Sequence, residues 1–280
     1  MSNFLRRTLT GIWIVLFVLG GFWLHPVSFF ITGLVILAGS QYEYYKLIRN
    51  TGSNPQMIAG IIAGAVLYTI STLVAADMTG PAWFIGVAPV FLFIMAAEIY
   101  RGNEKPFDAL AHTFFPVVYS AVPFCLFPFA AYSQEGIPSL IVSDKVTYSP
   151  GIIIGFFLLL WTYDTAAYLT GISFGRHRLL ERISPKKSWE GFAGGVIITA
   201  LTAWLLSGWL GVVGTAGWVA LSVIISVAGT FGDLVESMLK RSLGVKDSGN
   251  IMPGHGGFLD RFDSTVFSFP LVYLFILLFG

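Results

Sequence analysis

The stretch PGIIIGFFLLLWTYDTAAYLT, residues 150–170, carries a single charged side chain, Asp164. Hydrocarbon ~30 Å thick is crossed by about 20 predominantly apolar residues wound as an α-helix. This stretch meets that length, and eight others resemble it: 8–24, 27–47, 56–76, 81–100, 114–132, 190–210, 216–237 and 262–280. Over the whole chain 55% of residues are hydrophobic and only 11% are charged, where a soluble domain carries roughly a quarter. The expected fold is therefore an all-α polytopic integral membrane protein, one membrane domain over 1–280 with nine transmembrane helices. The first stretch has a basic head and an apolar body. It is followed by Trp23, Leu24, His25 and Pro26 instead of a small-residue cleavage pattern, so it reads as a retained helix. EKPFDALAHTFF, 104–115, reads as an amphipathic piece at the interface.

Lys and Arg collect on the cytoplasmic side of membrane proteins. With the N-terminus inside and nine crossings, every one of the 16 basic residues except Lys145 falls inside, and the C-terminus is outside. The inside loops 171–189 and 240–261 hold most of them. Arg6, Arg7, Lys46 and Arg49 read as topology signals, and Glu43 and Glu98 as interfacial residues at helix ends. The lone Cys125 excludes an intrachain disulfide and reads as a small apolar side chain. A net charge of +1 points to no polyanionic macromolecule, so no nucleic-acid partner is expected.

Charge concentrates in KRSLGVKDSGNIMPGHGGFLDRFDS, 240–264. Just before it, Asp233 and Glu236 share a helix face with Lys240 one turn on, and Asp260 and Asp263 repeat the three-residue spacing. Ionisable groups at membrane depth are costly and usually line a cavity or pair with a cation. Hard oxygen ligands without a Cys/His cluster suit Mg²⁺ over Zn²⁺. Between the acidic pairs, Gly244, Gly249, Gly254, Gly256 and Gly257 let backbone N–H groups approach a phosphate. Lys240, Arg241, Lys246 and Arg261 add positive charge, and His255 can donate to a phosphate oxygen. Asp164, Lys186 and Lys187 lie in the other inside loop and its preceding helix. Ser184 or Ser188 is placed to cap the next helix, whose N-terminus favours an anion. Metal, glycine and cation together describe a polyphosphate site.

SMLKRSLGVKDSGNIMPGHGGFLDRFD (237–263), SPKKSWEG (184–191) and the D-x-x-A-Y-x-x-G segment (164–171) resemble, in this order, the phosphatidate cytidylyltransferases, also called CDP-diglyceride synthases. The resemblance covers the C-terminal half; 1–110 is similar only in being hydrophobic and polytopic. Ser188 stands where Thr is common. The resemblance implies that CTP and phosphatidic acid give CDP-diacylglycerol and pyrophosphate with Mg²⁺ and a second cation of unspecified identity. It implies that Asp233 and Asp260 hold metal with Asp263 in support. Lys240, Arg241, Lys246, His255 and Arg261 then gather the phosphates, with Asp247, Gly254, Gly256 and Gly257 in the same loop. Asp164, Lys186 and Lys187 complete the pocket. A homodimer in the cell inner membrane is implied, its active site cytoplasmic and its lipid drawn from the inner leaflet, with 1–110 as scaffold and 150–280 as the catalytic helices. Alternatives are a cytidylyltransferase for a polyprenyl or archaeal lipid phosphate, and a secondary transporter. Against the transporter, the acids crowd one end of the helices, whereas transporters bind near the midplane between repeats.

Overall fold

Backbone N–H and C=O groups surrounded by hydrocarbon can be satisfied within one segment only by a helix, and each of the nine stretches coincides with one. The computed structural model describes residues 3–134, 137–138, 146–245, 248–249, 251–252 and 256–279. Helices α1 (Asn3–Leu24), α2 (Pro26–Arg49) and α3 (Met57–Ala75) come first. A 3-10 turn (Pro81–Gly86) leads into α4 (Val87–Arg101), and α5 spans Pro106–Ala131. The remaining helices are α6 (Gly151–Phe174), α7 (Trp189–Leu210), α8 (Thr215–Ser242) and α9 (Leu259–Phe279). Among the described residues seven spans, from α3 onward, are long and apolar enough to cross a membrane; α1 is apolar over Thr8–Leu24. α2 carries Glu43, Lys46 and Arg49 in its last two turns.

Two small sheets fill connections. β1 (Tyr132–Gln134) lies between β2 (Ile137–Pro138) and β3 (Thr147–Tyr148), all antiparallel. β4 (Arg178–Leu180) and β5 (Ser184–Ser188) form a hairpin joining α6 to α7, with Arg178 opposite Ser188. The two charged loops are therefore shorter than expected. α6 runs on to Phe174, and α8 runs to Ser242, taking Lys240 and Arg241 into helix.

Two expectations are corrected. The segment 104–115 does not form a separate interfacial piece: from Pro106 it is the start of α5, with Ala109 and Thr113 buried. Tertiary hydrogen bonds draw it in. Tyr45 donates its hydroxyl to the Thr113 carbonyl at 2.6 Å, and the Gln56 N–H donates to Thr113 Oγ1 at 2.9 Å. Glu98 is buried rather than interfacial. It accepts from Gln56 Nε2 at 2.7 Å, from Arg101 at 2.8 Å and from Asn103.

Prolines 116, 123 and 128 break the regularity of α5, because each lacks the N–H that a helix interior needs. A π-helical turn, Val117–Ala121, follows the first of them. Serine and threonine survive in apolar helices by donating to the carbonyl one turn back. Ser40 does so to Ile36 and Ser226 to Ser222. The core is aromatic. Phe127 of α5 stacks on Phe269 of α9 with centroids 3.9 Å apart, and Phe156 of α6 meets Phe269 edge-on.

Lipid is as apolar as leucine, so close backbone approach at small residues holds such helices together. α8 and α9 touch at Gly232, where a Cβ would stand 2.7 Å from the Asp263 carbonyl oxygen and 2.9 Å from Ser264 Cα. Gly232→Ala should therefore force these helices apart and destabilise by about 1–3 kcal/mol. Gly20→Ala, with open space around its Cβ position, should be neutral or stabilising through helix propensity. Thermal unfolding of both variants in detergent checks the opposite signs.

Candidate active site

The ionisable residues singled out in the sequence come from three helices and a hairpin at one end of the bundle. Asp164 lies on the C-terminal half of α6, Lys186 and Lys187 on β5, and Asp233, Glu236 and Lys240 on the last turns of α8. Asp260 and Asp263 lie on the first turns of α9. The hairpin is held by Glu190, which accepts from the backbone N–H of Arg176 at 3.0 Å and pairs with His177 Nδ1 at 2.6 Å. Ser188 caps α7 by accepting from the Gly191 N–H at 3.1 Å. That settles which serine caps the helix; Ser184 instead pairs with Leu180 in the hairpin.

Between α6, the hairpin, α7 and α8 lies a cleft of ≈ 520 Å³. Its polar lining includes Asp164, Arg178, Lys186, Lys187 and Thr230. Tyr163 donates to or accepts from the Thr230 hydroxyl and ties α6 to α8 beside the cleft. Lys187 lines the cleft and also forms an ion pair with Asp233, so the basic cleft and the carboxylates share a boundary.

Behind that boundary the charges interlock. Glu236 is fully buried, and Lys240 Nζ stands 2.5 Å from its Oε2 and 2.7 Å from Asp260 Oδ1. Asp260 also accepts from the N–H of Ser248 at 3.0 Å and of Gly257 at 3.0 Å. Asp263 is buried, accepts from the Ser264 N–H at 2.6 Å, and is electrostatically coupled to Asp233 and Asp164. Arg261 is coupled to Asp164.

Several of the expected site residues already have partners within the protein. Asp260, expected to hold metal, has both oxygens engaged by Lys240 and two backbone amides, which makes it the anchor of the loop before α9. Gly257 directs its N–H at this carboxylate, not at an open phosphate position. Gly256 is needed at φ +81°, where its Cβ would also stand 2.5 Å from Asp260 Oδ2. Arg241 is turned away to the Val245 carbonyl at the end of α8. Lys246, Asp247, Gly254 and His255 lie outside the described residues.

Two residues escaped the sequence reading. Glu43 of α2, expected at the interface, is 1% exposed and accepts from the Leu259 N–H at 2.9 Å and from Ser248 Oγ at 3.2 Å. Tyr119, on the π-turn of α5, has a buried hydroxyl without a hydrogen-bond partner among the described residues. Its ring stacks on Phe115 with centroids 5.5 Å apart. The prolines around it were the available signal, since π-turns are frequent at functional sites.

The donor set suits a hard divalent cation. The cluster brings together five carboxylates, Asp164, Asp233, Glu236, Asp260 and Asp263, with Lys187, Lys240 and Arg261 as its cations. Carboxylates gathered in so dry a setting are the kind of group that pairs with a cation. No three acidic, His or Cys side chains among the described residues converge tightly enough to chelate an ion as they stand.

The whole chain resembles known proteins. The model of the cytidylyltransferase family matches residues 5–279. "Phosphatidate cytidylyltransferase 5, chloroplastic" of Arabidopsis thaliana is 33% identical over 307 aligned positions, covering 100% of this chain and 73% of that protein. Phosphatidate cytidylyltransferases of Staphylococcus epidermidis and Bacillus subtilis are 43% and 46% identical. The first match covers 69% of this chain and 68% of the relative; the second covers 44% and 46%.

Removing one member of a buried ion network leaves the others uncompensated, which costs about 3–5 kcal/mol. Lys240→Met strands Glu236 and Asp260 together and should lower stability by that order, read as a fall in the thermal midpoint in detergent. Arg241→Met, at an exposed position, should leave the midpoint within error.

Proposed function

Because the chain belongs to the cytidylyltransferase family, we propose that it transfers the cytidylyl group of CTP to phosphatidic acid, giving CDP-diacylglycerol and pyrophosphate. The observation that carries this reading is the shared boundary at Lys187, where a cleft lined by basic side chains adjoins a cluster of carboxylates. A nucleoside triphosphate has the charge for the first, and a divalent cation has it for the second. The relatives' names supply the acceptor lipid.

The nucleophile is an oxygen of the lipid phosphate, already ionised near neutral pH. It forms a bond to the α-phosphorus of CTP while the bond to pyrophosphate breaks, and pyrophosphate leaves with the electron pair. No Ser-His-Asp or Cys-His pair is required. Arg178, Lys186 and Lys187 hold phosphate oxygens in the cleft and neutralise charge as it shifts to the leaving group. Lys187 exchanges Asp233 for phosphate as CTP enters, which frees Asp233. Lys240 and Asp260 keep α8, α9 and the intervening loop in register. Mg²⁺, held by Asp233 and Asp263 with Asp260 beside them, would supply Lewis-acid charge to the phosphates when bound. A second cation fits the same excess of carboxylates.

In this reading all nine helices span the inner membrane, with the N-terminus and the site cytoplasmic and the C-terminus outside. The distribution of Lys and Arg supports it. Phosphatidic acid then enters sideways from the inner leaflet, so its acyl chains never leave hydrocarbon. The protein works as a homodimer.

Purified protein in liposomes with labelled CTP, phosphatidic acid and Mg²⁺ should form CDP-diacylglycerol and pyrophosphate in equal amounts. EDTA should stop the reaction and added Mg²⁺ restore it. Asp233→Asn should lower the rate by roughly 10²–10⁴, the range for losing one electrostatic contribution to the transition state. Product from a polyprenyl phosphate but none from phosphatidic acid would reassign the acceptor. CTP that fails to bind would remove the reading altogether.

A further inference from the structure

A carboxylate buried inside the protein, 1% exposed, must be explained by what it holds. Glu43 sits in the last two turns of α2, within the stretch expected to be a scaffold, and its hydrogen bonds among the described residues are with Ser248 and with Leu259, the first residue of α9. Its Oε2 accepts from Ser248 Oγ at 3.2 Å and from the Leu259 N–H at 2.9 Å. Two glycines make room for it. A Cβ on Gly249 would stand 2.5 Å from Oε1, and a Cβ on Gly257 would overlap the carboxylate. Asp260 grips the same two places from the other side, through the N–H groups of Ser248 and Gly257. Two carboxylates thus pin the beginning and the end of the charged loop together, one from α9 and one from α2.

We propose that Glu43 is a positioning residue for the transfer reaction: it ties Ser248 to Leu259 and so fixes the first turn of α9, with Asp260, before CTP arrives. The proposal rests on the cytidylyltransferase reading for its kinetic consequence, but not for its structural one. Donors to an ionised acceptor make hydrogen bonds roughly twice as strong as neutral pairs. An uncharged side chain of the same shape therefore weakens the clamp without emptying the space. A loosened first turn of α9 has to be set in place again when the nucleotide binds, and that ordering is deducted from binding. At saturating CTP that cost is already met, so turnover recovers.

The test compares wild type, Glu43→Gln, Ser248→Ala and the double variant in detergent, each confirmed as folded by thermal unfolding. Hydrogen exchange of peptides covering 244–262, without substrate, should be at least about tenfold faster in Glu43→Gln and less affected in Ser248→Ala. The double variant should be no worse than Glu43→Gln alone, because both changes cut the same contact. With phosphatidic acid saturating, the KM for CTP should rise about tenfold in Glu43→Gln while kcat stays within about threefold. If Glu43→Gln does not fold, Ser248→Ala carries the same two measurements, with smaller expected changes in the same directions. Exchange at the wild-type rate in a folded variant overturns the clamp, as does a fall in kcat at unchanged KM. An inactive wild type whose loop nevertheless loosens in Glu43→Gln would overturn the assigned reaction and leave the clamp standing.

Discussion

The ammonium of Lys240, held between Glu236 and Asp260, is the contact on which the polar end of this protein depends. Glu236 has no exposed surface, and an isolated buried carboxylate is among the costliest groups a protein can hold. Its pairing one turn along α8 makes the charge tolerable. The same ammonium reaches across to the first turn of α9. A buried ion pair adds little stability compared with apolar packing, but a wrong alignment of its partners is heavily penalised. The triad therefore selects one register of α8 against α9. Gly232, one residue before Asp233, allows those helices to touch at that register. Asp233 and Asp263 owe their nearness to this alignment.

The helices were legible because the bilayer imposes a length rule that composition alone can satisfy. The i, i+3 pairing of the acids was legible for a similar reason, since three residues on a helix always return to nearly the same face. The β4–β5 hairpin was not. It is short, charged and without alternation, and its shape depends on Glu190 capturing the Arg176 and His177 amides from a neighbouring helix. Asp260 shows a different gap. Its spacing from Asp263 was read correctly, but its engagement by Ser248 and Gly257 depends on a loop path that no periodicity encodes.

Glu43 marks the limit of local reading most clearly. A lone acid near the end of an apolar helix looks the same whether it meets headgroups or a buried backbone. Its partners lie 205 and 216 residues away in sequence. Tyr119 was hidden for a related reason, because a tyrosine in an aromatic run reads as bulk. The π-turn that carries it shows only as prolines in a helix that should have none.

The expected division into an N-terminal scaffold and C-terminal catalytic helices is crossed by one contact, where Glu43 of α2 accepts from Ser248 and Leu259. Motifs confined to the last hundred residues suggest that α6 to α9 form the site unaided. Yet the first turn of α9 is tied to Ser248 by a carboxylate from α2, and α5 carries a buried hydroxyl with no hydrogen-bond partner among the described residues. Both groups are expensive to bury, although the Tyr119 ring also stacks on Phe115. An apolar scaffold would have placed leucine at each position with less strain on the membrane-embedded fold. Polar side chains at such depth imply that the early helices set the shape of the loop as well as the shape of the bundle.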